Sequence, residues 1–353
     1  MINLDSLKTI SQLDPSRIRE FISLLPEHID QTWTNLARTK LPKEYQKIKK
    51  IIICGMGGSA IGADLVKSFA QLRSQIPITI VRNYELPGWI DEETLVLLIS
   101  CSGNTDEVLH ALNQAKAQKA KIFIITKNGE LKKIAEEEKL PSFIFNYQGP
   151  SRTAIGFTST ATLQIFSKLK IISVEKEDID ELVNFLKEQN KILYEKAPAD
   201  INPAKQLASK LHQKILISIG SGIFSVCAKR FADQLAENSK NLAFFLPFPE
   251  LVHNFIEGIE NPPFLLKNLF LLIFQSSFDH PRVSIGFDIL KEIFSKKNLD
   301  FKIIHAQGKT LLAQLFYLIL LTDWTSFYLA LLNGTDPFIT PSISNFKDNL
   351  KEF

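Results

Sequence analysis

The sequence predicts an α/β protein of two domains, each a mainly parallel sheet flanked by helices. Three observations lead there. From Lys50 onward, short apolar runs alternate with helical stretches, the pattern of parallel strands joined by crossover helices. That alternation stops in a helical, proline-containing stretch and starts again at Lys214. The length of 353 residues also suits two domains of ordinary size.

Taken in order, residues 16–38 read as one or two helices with Ile18, Phe21, Ile22 and Leu25 on one side, an N-terminal appendage. Ile51-Ile52-Ile53-Cys54 is the first strand. Gly55 to Gly62 is a glycine-rich turn, and Ala63 to Leu72 continues as a helix. Ile78 to Val81 is the next strand. The mostly aliphatic run Thr94 to Ile99 reads as a buried parallel strand. After it the polarity switches abruptly to Ser100-Cys101-Ser102-Gly103-Asn104-Thr105. A helix follows, with Val108, Leu109 and Leu112 at helical spacing. Ile122 to Thr126 is a strand, Leu131 to Glu138 a helix, and Phe143 to Phe145 a short strand before Gly149-Pro150-Ser151-Arg152-Thr153. Helical stretches at 159–170 and 179–196 lead to a loop with Pro198 and Pro203. These readings place one domain at 1–155, a helical connecting region at 156–203 and a second domain at 204–353.

The second half repeats the scheme. Lys214 to Ile219 is a strand, Gly220-Ser221-Gly222 its turn, and Ile223 to Asn238 its helix; the segment faintly echoes Ile51 to Ser59. Leu242 to Leu246, Leu269 to Phe274 and Phe301 to Ile304 are later strands, with a helix from Gly286 to Lys297. The last helices are Leu311 to Leu332 and Ser344 to Glu352, separated by the helix stop Asn333-Gly334-Thr335-Asp336-Pro337. The stretch from Leu311 has the length of a membrane span, but Asp323 within it makes a buried core helix the better reading.

Composition narrows the function classes. Hydrophobic residues are 45% and charged residues 22%, a balance that supports a sizeable core. The formal charge of +3, with both signs interspersed, gives no electrostatic case for nucleic acid or a membrane surface. Cys54, Cys101 and Cys227 lie far apart without Cys-x-x-Cys spacing, which argues against disulfides or zinc and suits a reducing cytoplasm. The N-terminus shows no signal-peptide pattern.

The polar loop from Ser100 to Thr105 is the strongest chemical signal. It lies between a strand's carboxyl end and a helix's amino end, where unpaired N–H groups and the helix dipole favour an anion. Three hydroxyl side chains there point beyond a simple cap to a phosphate site. Gly55-x-Gly57-x-x-Ala60 fits the loose dinucleotide fingerprint. Arg82 and Asn83 stand where an acidic ribose ligand is expected, so an NADP reading stays open beside close backbone approach to a small ligand, with Ser59 adding a hydroxyl. Gly308-Lys309-Thr310 resembles the end of a P-loop but has Ile303 where glycine is needed. Arg152 is either a surface arginine or a stabiliser of negative charge near the phosphate loop. Glu237 closes the helix after Gly222, an unfavourable end for a carboxylate, as a general base placed for function would be. His253 sits in a proline-rich turn, and the six histidines show no ligand spacing.

Together these pieces resemble the bifunctional phosphoglucose/phosphomannose isomerases, within the sugar isomerase domain superfamily. The resemblance rests on Gly55-Met56-Gly57-Gly58-Ser59-Ala60-Ile61-Gly62, Ser100 to Thr105, Arg152, Glu237-Asn238 and Pro249-Glu250-Leu251-x-His253-Asn254, in this order, and runs from about residue 20 to the C-terminus. It implies two sugar isomerase domains, a homodimer, and interconversion of fructose 6-phosphate with glucose 6-phosphate and mannose 6-phosphate. By motif, Gly57, Gly58, Ser59, Ser100, Ser102 and Thr105 are expected to bind sugar and phosphate. Arg152 is expected to stabilise the enediolate, Glu237 to move the proton between C1 and C2, and His253 of the partner subunit to assist ring opening. Lys347, in Ile343-x-x-Phe346-Lys347, matches the family's lysine near the ring oxygen, and Thr340 the threonine that leaves room for both C2 epimers. No cofactor or metal is expected. The chain departs from the family's Asn-His-Asn-Glu: it has Val252-His253-Asn254-Phe255, which removes two polar neighbours of the imidazole. Two other readings compete: a phosphosugar-binding regulator without turnover, and an amino-sugar enzyme of the same superfamily.

Overall fold

A computed structural model describes residues 2–350. Leu24–Asn184 form one compact unit, and the described residues on either side of that stretch form another. Two short helices, α1 (Leu7–Leu13) and α2 (Ile18–Ser23), precede α3 (Leu25–Ala37), so the N-terminal helical stretch divides at Ser23. Helix α1 lies ahead of the residues expected to be helical; Ser6 starts it by accepting from the Thr9 amide.

In the first unit the sheet strands are β1 (Lys50–Gly55), β2 (Ile78–Val81), β3 (Thr94–Ser100), β4 (Lys121–Thr126) and β5 (Ser142–Ile144). The helices between and after them are α4 (Gly57–Ala70), α5 (Asp106–Ala117), α6 (Gly129–Glu137) and α7 (Ile155–Lys168), and α8 (Lys176–Leu193) carries the chain past Asn184 into the other unit. All neighbours pair in parallel, in the order β2-β1-β3-β4-β5. The aliphatic runs predicted as buried strands are buried: Ile51 to Ile53 and Leu95 to Ile99 are solvent-free, opposite one another across the β1–β3 ladder. One core face joins Ile52, Val96, Leu98, Ile122 and Ile124 to Val108, Leu112 and Leu131 of α5 and α6. Strand β5 is short and leaves Ile122 without a ladder partner on that side. The Tyr45 hydroxyl fills the gap, donating to the Ile122 carbonyl at 2.6 Å and accepting from its amide at 3.2 Å.

The other unit starts α9 (Pro203–Leu211) where the sequence suggested a loop. Asn202 accepts from the amides of Ala204 and Lys205, and Pro203 occupies the first helical position, which needs no N–H. Then come β6 (Ile215–Ser221), α10 (Ser225–Ser239), β7 (Ala243–Phe248), two single turns α11 (Phe255–Gly258) and α12 (Pro263–Leu266), and β8 (Leu269–Gln275). The rest is α13 (Pro281–Lys296), β9 (Phe301–His305), α14 (Leu311–Leu332) and α15 (Pro341–Leu350). Helix α13 begins five residues before the predicted Gly286, because His280 caps it by accepting from the Arg282 amide. The predicted end of the last helix at Glu352 lies outside the described residues. The parallel order β7-β6-β8-β9 matches β2-β1-β3-β4, so the faint internal repeat is a repeated topology.

Every residue of α14 is buried, and the helix packs on α9 and α10. Asp323 is neutralised there: Arg230 Nη2 lies 2.7 Å from one carboxylate oxygen, and the Gln234 amide donates to the other at 3.0 Å. Asn238 donates to Ser326 Oγ at 2.9 Å. Arg230, Gln234 and Asn238 stand one helical turn apart, so a polar ladder in the α10–α14 contact fixes the register of α10.

Candidate active site

In a parallel sheet the ligand crevice opens at strand carboxyl ends where the chain reverses its direction across the sheet. In the first unit the chain leaves β1 toward β2 and returns to β3 on the other side, so that point lies between β1 and β3. The two loops singled out in the sequence leave from there. Helix α4 begins at Gly57, earlier than the expected Ala63, so Gly57, Gly58 and Ser59 form its first turn rather than a loop before it. Neither α4 nor α5 carries a side-chain cap, and Thr105, at the N-cap of α5, leaves the first amides of that helix open. Two helix amino ends thus face one crevice, each with the partial positive charge of its dipole.

The hydroxyls divide into two sets. Ser59 and Ser100 are buried and brace the crevice from within. Ser59 Oγ accepts from the Cys101 amide at 3.1 Å, tying the two loops together. Ser100 Oγ accepts from the Gly103 amide at 3.1 Å and lies 2.7 Å from Thr105 Oγ1 and 3.4 Å from Ser102 Oγ. Ser102 is exposed and Thr105 half-buried, so these two hydroxyls reach the opening. Gly103 adopts a φ of +76°, and a Cβ there would lie 1.7 Å from the Asn128 carbonyl oxygen; only glycine fits.

Arg152 is placed by the same packing. It sits in a 3-10 turn, Ser151–Thr153, after β5, and is buried. A Cβ on Gly58 would stand 2.7 Å from both the Cα and the amide nitrogen of Arg152, so that turn lies directly on the start of α4. Thr153 Oγ1 donates to the Pro150 carbonyl at 2.9 Å and meets the Tyr147 hydroxyl at 2.5 Å. Tyr147 in turn packs with His28 and Phe157. The structure therefore brings Gly57, Gly58, Ser59, Ser100, Ser102, Thr105 and Arg152 to one end of one sheet.

The remaining four residues belong to the other unit. Glu237 is half-buried in the last turn of α10, as its sequence position implied. His253 ends a 3-10 turn, Glu250–His253, and is exposed. Its flanking Val252 and Phe255 are packed against the hydrophobic cluster that includes Leu251 and Phe248, so apolar contact holds the turn. Thr340 precedes α15, and Lys347 is exposed in that helix.

The second sheet has its own switch point, between β6 and β8, and its chemistry differs. Ser276 Oγ donates to Gln314 of α14 at 2.6 Å, and Gln314 donates to Ser277 Oγ at 2.7 Å, so both hydroxyls are engaged internally. Asp279 takes the Ser276 amide at 2.7 Å, and burial pushes its carboxyl up to about 6. A carboxylate that has consumed the loop's amide makes this crevice a poor host for phosphate. Sequence reasoning missed the side chain that fastens the first crevice: Asn104 Oδ1 accepts from the Glu130 amide at 2.8 Å, serving α6 from the neighbouring loop. The glycines at 103 and 129 were the available signal. Cys101, in the loop from Ser100 to Thr105, is buried and its thiol is pushed up to about 11, which leaves it protonated and unreactive. The dinucleotide reading loses its arginine as well, because Arg82 is paired with Asp64.

Comparison with known proteins agrees with this architecture. Residues 44–168 match the SIS domain, and residues 200–350 match the bacterial phospho-glucose isomerase C-terminal SIS domain. The chain is 36% identical over 334 residues to a bifunctional phosphoglucose/phosphomannose isomerase of Caldicellulosiruptor bescii, covering 94% of this chain and 98% of the relative. It is 32% identical to the protein of the same name from Aquifex aeolicus, covering 91% and 94%. Among solved structures, a hypothetical protein from Thermus thermophilus shares the fold with a TM-score of 0.76 at 16% identity, covering 98% of this chain and 93% of that one.

Proposed function

The chain belongs to the bifunctional phosphoglucose/phosphomannose isomerases, and from that premise we propose which residues carry out the isomerisation and how. It is an aldose–ketose isomerase of phosphorylated hexoses, interconverting fructose 6-phosphate with glucose 6-phosphate and mannose 6-phosphate. The regulator reading is not favoured.

In our reading the phosphate sits in the crevice between β1 and β3, held by the first amides of α4 and α5 with the hydroxyls of Ser102 and Thr105. Ser59 and Ser100 brace those donors. The observation that carries the assignment is the uncapped start of both helices at one switch point, lined by hydroxyls, with the Arg152 turn packed on the start of α4. The Glu237 carboxylate takes a proton from C1 of the open-chain ketose and returns it to C2. The electron pair left behind is delocalised into an enediolate, whose oxygen charge the Arg152 guanidinium stabilises. Proton return to either face of C2 yields the two epimeric aldoses, with Thr340 leaving room for both. His253 moves a proton between the ring oxygen and the anomeric hydroxyl as the ring opens, with Lys347 near the ring oxygen.

We place His253 in the partner's site of a homodimer; its exposure, on a turn anchored by Leu251, Val252 and Phe255, supports a residue offered outward. The reaction belongs to carbohydrate metabolism, at the step shared by glycolysis and gluconeogenesis, and we assign it to the cytoplasm. The test is incubation of the purified protein with fructose 6-phosphate, without metal or nucleotide, and separate quantification of both aldose phosphates. Both products at comparable rates support the reading. Glucose 6-phosphate alone removes the role given to Thr340, and binding without product restores the regulator.

A further inference from the structure

The last turn of α10 carries Glu237, and the segment between α14 and α15 leads to Thr340. These two pieces are far apart in sequence and converge on one ammonium group. Lys240 follows α10 with left-handed backbone, at a φ of 53°. Its three N–H groups are shared among four carbonyls, those of Glu237 at 3.1 Å and Asn238 at 3.2 Å and those of Asp336 at 2.6 Å and Ile339 at 2.7 Å from Nζ. The first two are carbonyls that a helix end leaves without partners, and a cation there also meets the negative end of the dipole. Capping accounts for those two only. The shorter pair reaches across to the segment whose next residue after Ile339 is Thr340. Neutral bonds hold the same segment, among them those from Asn333 to the Ser239 carbonyl at 3.0 Å and from the Phe338 amide to Asp336 Oδ1 at 2.8 Å.

We propose that Lys240 is a positioning residue of the isomerase, a staple that sets the Glu237 carboxylate in register with the Thr340 segment. The inference rests on the roles given above to Glu237 and Thr340. Proton transfer tolerates little misplacement, and an error near 1 Å costs on the order of 100-fold. A displaced Thr340 segment also changes the space open to each C2 epimer. Phosphate binding, assigned to the other unit, does not depend on the staple. The signature is therefore a fall in kcat with KM nearly constant and an altered ratio of the two aldose products.

The test is Lys240→Gly, since glycine accepts the left-handed backbone and removes only the side chain. With fructose 6-phosphate we expect kcat to fall about 10- to 100-fold, KM to stay within about twofold and the product ratio to shift. Ethylammonium, a donor of the same charge that fits the vacated carbonyls, should restore activity, whereas tetramethylammonium, which has no N–H, should not. Unchanged kcat and product ratio overturn the proposal, as does a loss that ethylammonium leaves unrestored. If the glycine variant fails to fold, Lys240→Met, which keeps the apolar stem, is read in the same assay. Failure of the underlying function shows separately, as an inactive unmodified protein.

Discussion

Replacing Gly58 with alanine tests whether the glycine-rich turn and Arg152 form one device. The new Cβ would stand 2.7 Å from the Cα and the amide nitrogen of Arg152 and 2.9 Å from the carbonyl carbon of Ser151. All three are backbone atoms, so no side chain can swing aside. Ordinary contact begins at 3.4 Å, and one of the two segments must therefore move by roughly 0.7 Å. Overpacking of this kind costs about 1–3 kcal/mol of stability. A shift of that size in Arg152, the residue we propose to stabilise the enediolate, predicts a kcat reduced about 10- to 100-fold. Gly222→Ala is the control. Gly222 opens the equivalent turn of the other unit, with a φ of +50° and nothing within 4 Å of an added Cβ. It carries backbone strain of about 1–2 kcal/mol without a clash. The assay is steady-state isomerisation of fructose 6-phosphate by both variants, with melting temperature measured in parallel. If Gly58→Ala loses no more kcat than Gly222→Ala at matched stability, Arg152 is not held against α4 for catalysis.

Three further outcomes follow from the same structure. Glu237→Gln should lower kcat by about 10²–10⁴-fold and leave fructose 6-phosphate binding nearly intact, measured by single-turnover kinetics and calorimetry; undiminished turnover removes the base. His28 is buried against Tyr147 and Phe157, and burial pulls its imidazole down to about 4 from 6.5. The unfolded chain thus binds the extra proton between those values. The His28 contribution, about 3 kcal/mol, is complete above pH 6.5 and is lost as pH falls toward 4. Asp279, raised to about 6, works in the opposite sense, adding stability below 3.8 that is lost as pH rises through 6. Comparison with His28→Phe isolates the histidine, and identical acid melting curves for the two proteins contradict the assignment. Asp323→Asn deprives buried Arg230 of its counter-charge and should cost about 3–5 kcal/mol in denaturant unfolding, whereas a loss below about 1 kcal/mol means the ladder does not stabilise the α10–α14 contact.

Local chemistry makes much of this protein legible in the chain itself. Uninterrupted aliphatic runs such as Thr94 to Ile99 have no polar face to offer solvent, so they define buried parallel strands wherever they occur. An abrupt change to hydroxyls and glycine at a strand end marks the crevice, and the motifs around Gly57, Ser100, Arg152 and Glu237 carry the family and its reaction. What the sequence left open depends on partners distant along the chain. Helix α4 starts at Gly57, where the Arg152 turn packs so closely on Gly58 that no Cβ fits. Ser59 carries the same hydroxyl as Ser102, yet only its bond to the Cys101 amide, in the next loop of the sheet, makes it an internal brace while Ser102 stays at the opening. Asp323 resembles a membrane anomaly until Arg230 and Gln234 meet it across two helices. Periodicity and composition determine which residues are buried and which strand ends are polar, since each depends on a residue and its near neighbours. Which donor meets which acceptor is a three-dimensional property, and the tertiary structure alone decided it.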